Sequence, residues 1–137
     1  MTQRRVLIVE EESSLRNLIY TLLSTLGCDG DVAYSGQQAL AMISRQPFDA
    51  VLLDLRCLDG GPERVVSGIL EIRPNLMGRV LVITGEVTDQ DTMDLIEHKC
   101  LLRVPRHRLL QELWNKLRML WGFPGVCYPL ERSGPQQ

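Results

Sequence analysis

A chain of 137 residues with fifteen basic and seventeen acidic side chains is long enough for one domain with an ordinary core. Its net charge of −2 provides no basic field for nucleic acid and no acidic tail for a basic partner. No apolar run approaches the length a bilayer requires, and Met1 to Arg5 lead directly into a strand-like run rather than a signal-peptide core. The expectation is a cytoplasmic protein with neither nucleic acid nor membrane as partner. Cys28, Cys57, Cys100 and Cys127 are far apart, without a CxxC pair or zinc spacing, so reduced structural thiols are expected. His98 and His107 read as surface histidines.

Taken in order, Val6 to Val9 form an apolar run that ends in Glu10-Glu11-Glu12. Leu15, Leu18, Ile19, Leu22, Leu23 and Leu26 then recur at helical spacing until Gly27 stops the helix. A short strand is expected over Asp31 to Tyr34. Ser35-Gly36-Gln37-Gln38 has the form of a capping box opening a second helix through Ala39, Leu40 and Ile43, which Pro47 ends. Ala50 to Leu53 is unbroken hydrophobic sequence, the mark of a strand buried on both faces, and it delivers Asp54 to its end. After Gly60-Gly61 a third helix carries Val65, Val66, Ile69 and Leu70 until Arg73-Pro74.

Arg79 to Thr84 is again apolar until its last residue. Thr88-Asp89-Gln90-Asp91 starts a fourth helix with Met93 and Ile96, and Cys100 to Val104 makes a fifth strand. Leu109, Leu110, Leu113, Trp114, Leu117, Leu120 and Trp121 form a wide stripe on the last helix, with both tryptophans read as core. The chain divides into one domain over residues 4–121 and an irregular tail with Pro and Gly over 122–137. Five strands alternating with five helices imply an α/β, doubly wound parallel sheet.

In that architecture the ends of the first, third and fourth strands meet beside the switch in strand order, so Glu10, Glu11, Asp54 and Thr84 converge. Packed carboxylates repel one another unless a cation neutralises them, and a hard divalent ion such as Mg²⁺ suits oxygen ligands. An aspartate there can attack a phosphoryl group, and a hydroxyl such as that of Thr84 can donate to it. Taken alone, Glu10 to Glu12 also serve as acids placed favourably before a helix, and Asp54 as a turn residue.

These residues resemble the response-regulator receiver domains of two-component signalling. Val6 to Glu12, Val51 to Leu55 and Val80 to Gly85 carry the resemblance, which spans roughly residues 4 to 121. Arg73 to Gly85 is similar to receivers attached to hybrid sensor kinases. The resemblance implies a flavodoxin-like sheet of order 2-1-3-4-5 and a signalling domain rather than an enzyme. Asp54 becomes the phosphoacceptor, served by a histidine kinase or histidine phosphotransfer protein. Glu10, Glu11, Asp54 and the backbone carbonyl of Arg56 hold Mg²⁺. Thr84 becomes the hydroxyl that moves toward the phosphoryl group. A homodimer through the face of helix 4, strand 5 and helix 5 is a further partner the family brings.

The departures are specific. Glu11 stands where receivers usually have Asp. The family's lysine before a proline on strand five falls on Val104 when anchored on Pro105, with neighbouring Arg103 as a substitute one residue out. Leu58 stands at the usual proline four residues past the acceptor, and Leu101 at the aromatic switch position. Arg56 and Glu86 flank the mouth, where an ion pair between them would gate small phosphodonors and water.

Two mechanisms stay open. Either Asp54 still takes phosphate, with Arg56 or Arg103 partly replacing the lysine charge, or the domain is a pseudo-receiver, an interaction module independent of phosphate. Other chemistries on this fold fare worse. Arg56 stands where a dehalogenase-type phosphatase needs a second Asp, and neither a phosphate-binding loop nor GxGxxG follows the first strand.

Overall fold

The computed structural model describes residues 4–58, 60–86 and 88–122, apart from the side chain of Cys57. The expected tail therefore lies almost wholly outside the described residues. Five parallel strands, β1 (Arg5–Val9), β2 (Asp29–Ala33), β3 (Ala50–Asp54), β4 (Val80–Thr84) and β5 (Leu102–Pro105), form one sheet of order β2-β1-β3-β4-β5. Helices α1 (Ser13–Thr25), α2 (Gly36–Arg45), α3 (Pro62–Ile72), α4 (Gln90–His98) and α5 (Leu109–Gly122) connect and cover them.

Side chains alternate across a strand, and here both sets are apolar. Leu7, Val9, Val51, Leu53, Val80 and Val82 pack on one face with residues of α2, α3 and α4 such as Ile43, Val66, Ile69 and Ile96. Val6, Ile8, Ala50, Leu52, Leu81, Ile83 and Val104 pack on the other with Ile19 and Leu23 of α1 and with the Leu109, Leu113, Leu117 and Leu120 stripe of α5. All five residues of β3 and of β4 are buried. Burying each large aliphatic side chain contributes about 1.5–3 kcal/mol. A rigid central pair thus carries Asp54 and Thr84 at its carboxyl end.

Local chemistry sets the boundaries. Gly27, at φ +80°, lets Cys28 N–H reach Leu23 O at 2.8 Å and close α1. Ser35 caps α2 by accepting from Gln38 N–H, while the Gln38 side chain accepts from Tyr34 N–H at 2.7 Å, so the box closes on the residue before the cap. Asp89 caps α4 by accepting from Thr92 N–H at 2.8 Å. At Gly36 a Cβ would lie 2.6 Å from Val65 Cγ2, and only glycine lets α2 and α3 approach so closely there.

Three expectations shift. β2 begins at Asp29, not Asp31, because an edge strand of Asp-Gly-Asp carries no apolar signal. β5 begins at Leu102 and extends through Pro105, because Cys100 adopts φ +54° as the residue closing α4, with Leu101 N–H donating to Ile96 O at 2.9 Å. Trp114 is 45% exposed and Leu110 61%, since both lie off the stripe of α5. Trp121 is half-buried, with Nε1–H donating to Asp49 O at 3.1 Å and Arg4 stacked on its ring. Cys28 is free and buried as expected. Cys100 is disulfide-bonded, against the reduced thiols that its isolated position in sequence suggests. His98 and His107 are exposed.

Candidate functional site

Asp54 is the last residue of β3 and is fully buried. Its Oδ1 caps the short turn Leu55–Cys57 by accepting from Arg56 N–H at 3.0 Å. Arg56 folds its side chain back, donating from Nη2 to Oδ2 at 3.0 Å and from Nε at 3.3 Å. From the other side Arg106 Nη2 donates to Oδ1 at 3.1 Å. Burial pushes the Asp54 carboxyl up, but hydrogen bonding with Glu10 and Arg56 and the charge of Arg106 outweigh it, holding Asp54 below its ordinary value. The hydrogen bond to Asp54 in turn raises the Arg56 guanidinium.

Glu10 follows β1 and is 1% exposed. Its backbone N–H donates to Ala33 O, and its Oε2 accepts from Glu12 N–H at 3.0 Å. Glu11 is exposed, and among the described residues no group of three or more His, Cys, Asp or Glu is placed to hold a metal ion. Magnesium commonly takes one or two carboxylates and keeps several waters. The adjacent carboxyls of Glu10 and Asp54 fit that demand.

Thr84 ends β4 and is 3% exposed. Its hydroxyl donates to Gly85 O at 3.2 Å and accepts from Arg103 Nε–H at 2.9 Å. Arg103 also donates from Nη2 to Gly85 O. Val104 is fully buried in the α1–α5 side of the core, and Leu101 is buried beneath the opposite face. The register pairs Thr84 with Pro105, so the residue that projects a cation over Asp54 is the next one, Arg106. The family motif anchors its cation before the proline and so passes over Arg106; the signal in the sequence is a basic residue immediately after a proline that itself ends the strand.

Arg56, Thr84, Gly85, Thr88, Thr92 and Arg106 line a cleft of about 200 Å³. Arg106 Nε and the Thr88 hydroxyl are buried there with no hydrogen-bond partner among the described residues, which leaves donors available to an anion. The Arg56 and Glu86 pair does not form among the described residues; Arg56 instead reaches Glu12 Oε1 at 3.4 Å, and Glu86 is exposed. Leu58 is buried against the α2–α3 core rather than at the cleft. A larger hollow, of about 640 Å³, lies between Arg4, Leu26, Cys28, Trp114, Arg118 and Trp121, away from every carboxylate of the site.

The family model for the response regulator receiver domain matches residues 6–105. A putative NtrX-like response regulator of Rickettsia felis is 40% identical over 100 residues, 71% of this chain and 20% of that protein. The response regulator protein PilR of Pseudomonas aeruginosa is 31% identical over 87 residues, 64% of this chain and 20% of its own length. The chain thus spans about a fifth of these relatives. Among solved structures, the receiver domain of the sensor histidine kinase PA1611 from Pseudomonas aeruginosa, with a magnesium ion in its active site cleft, superposes with a TM-score of 0.77 at 20% identity, covering 89% of this chain and all of that one. A two-component response regulator from Clostridium difficile gives 0.78 at 17% identity, covering 90% of this chain and all of that one. Strand order, matched residues and relatives agree: the chain belongs to the response regulator receiver domains of two-component signalling.

Proposed function

We propose that Asp54 is the phosphoacceptor of this receiver domain and that Arg106 serves it in place of the family's lysine. Asp54 Oδ attacks the phosphorus of a phosphohistidine on a histidine kinase or histidine phosphotransfer protein. A P–O bond forms, the P–N bond breaks, and the leaving imidazole takes up a proton. The observation that carries this reading is the 3.1 Å contact of Arg106 Nη2 with Asp54 Oδ1, with Arg106 Nε beside it lacking a partner among the described residues. A guanidinium already aimed at the acceptor is placed to pair with phosphoryl oxygens as negative charge develops.

Thr84 supports the same step. Its hydroxyl exchanges the Gly85 carbonyl for a phosphoryl oxygen while still accepting from Arg103. Glu10, Asp54 and the Arg56 backbone carbonyl would hold Mg²⁺, with Glu11 at the rim; when bound, the ion screens phosphoryl charge. Met93 of α4 is an exposed apolar side chain on that side of the sheet, while the exposed Trp114 of α5 lines the hollow beside the end of α1; a second copy on the α4–β5–α5 face is part of the same proposal. Among the described residues no helix is long and apolar enough to cross a membrane.

Intact mass after incubation with Mg²⁺ and acetyl phosphate tests the acceptor. The expected result is one phosphoryl adduct in the wild-type chain and none in Asp54→Asn. An adduct that persists in Asp54→Asn would move the acceptor elsewhere. Failure to load from either acetyl phosphate or a phosphorylated phosphotransfer protein would favour the pseudo-receiver.

A further inference from the structure

The guanidinium of Arg56 lies on the carboxylate that a divalent cation must reach. It holds Asp54 through Nη2 at 3.0 Å and Nε at 3.3 Å, and touches Glu12 Oε1 at 3.4 Å. Glu12 N–H in turn donates to Glu10 Oε2 at 3.0 Å. One side chain therefore sits against Asp54 and, through Glu12, against the loop that orients Glu10. We propose that Arg56 is a built-in counter-ion that competes with the divalent cation for Asp54 and sets the concentration at which the metal loads.

The two guanidiniums on Asp54 are not equivalent. The Arg106 side chain is 27% exposed and its Nε is buried. The Arg56 side chain is 51% exposed and reaches Asp54 from solvent. Its backbone N–H stays bonded to Asp54 Oδ1 at 3.0 Å, so the side chain can swing out without unmaking the turn. A half-exposed ion pair is weak enough to be displaced. A divalent ion brings twice the charge to the same oxygen. In its absence Arg56 supplies the neutralisation that two adjacent carboxyls require. The chain thus carries a cation of its own beside Asp54.

The inference rests on the reading that Glu10 and Asp54 hold the metal, and the test separates the two. Free Mn²⁺ is followed by electron paramagnetic resonance during titration into the wild-type chain, Arg56→Gln, Arg56→Ala and Asp54→Asn. Both Arg56 variants are expected to bind about five- to tenfold more tightly than wild type, and Asp54→Asn to lose the site. Binding seen in the Arg56 variants alone is the same result in stronger form. If Asp54→Asn loses the site while the Arg56 variants bind no more tightly than wild type, the counter-ion role falls and the metal site stands. If neither wild type nor the Arg56 variants bind, or Asp54→Asn binds like wild type, both readings fall.

Discussion

The ends of β3 and β5 meet over the same cleft and deliver opposite charges in different ways. β3 places its carboxylate on its own final residue, buried and anchored by the turn that follows. β5 ends on Pro105, and its cation comes from Arg106, one residue beyond the strand. The acid is fixed by sheet geometry, where a single residue of slip would turn it to the other face. A long guanidinium tolerates a shift of position, because its reach replaces exact register. The cation over Asp54 thus comes from just beyond the strand end.

Restoring the lysine where the family motif puts it tests that difference most harshly. Val104→Lys would bury an ammonium in the fully enclosed α1–α5 core, and should cost about 3 kcal/mol or more in chemical denaturation. Unchanged stability would mean that the side chain finds the cleft and that Val104 is the motif position after all.

At the β3 end the effect is smaller and depends on pH. The folded Asp54 carboxyl lies below its ordinary value, so between the folded and unfolded values the unfolded chain binds more protons. The stability it contributes is complete above about pH 4 to 5 and is lost as pH falls through the folded value. Asp54→Asn should therefore flatten the acid limb of stability against pH; an identical limb would show that Arg56 and Arg106 do not bias this group. The smallest effect belongs to Arg103, whose Nε bond to Thr84 should be worth about 1 kcal/mol in Arg103→Ala. A loss several times larger would give Arg103 a structural role beyond holding the hydroxyl.

The two strand ends also differ in how far they could be read from the amino acids. The apolar run Ala50 to Leu53 announces a strand buried on both faces, and Asp54 stands at its buried end, with Glu10 in hydrogen-bonding reach and Thr84 at the end of the neighbouring β4. The sheet order is the one the receiver resemblance implies. β5 resists because its signals are mixed: Cys100 closes α4 in a conformation usually left to glycine, and the strand then takes in a proline. Side-chain reach is likewise invisible in spacing. Nothing in the order of residues says that Arg56 turns toward Glu12 rather than Glu86, or that Trp114 lies off the buried stripe of α5.

The most direct test of the account is the rate of phosphoryl loading of Asp54 in Arg106→Ala and Arg106→Lys against the wild-type chain. Removing a donor aimed at developing charge should slow loading about 100-fold or more, and Arg106→Lys should recover part of the rate. Loading of Arg106→Ala at the wild-type rate would contradict the assignment of the cation to the residue after Pro105.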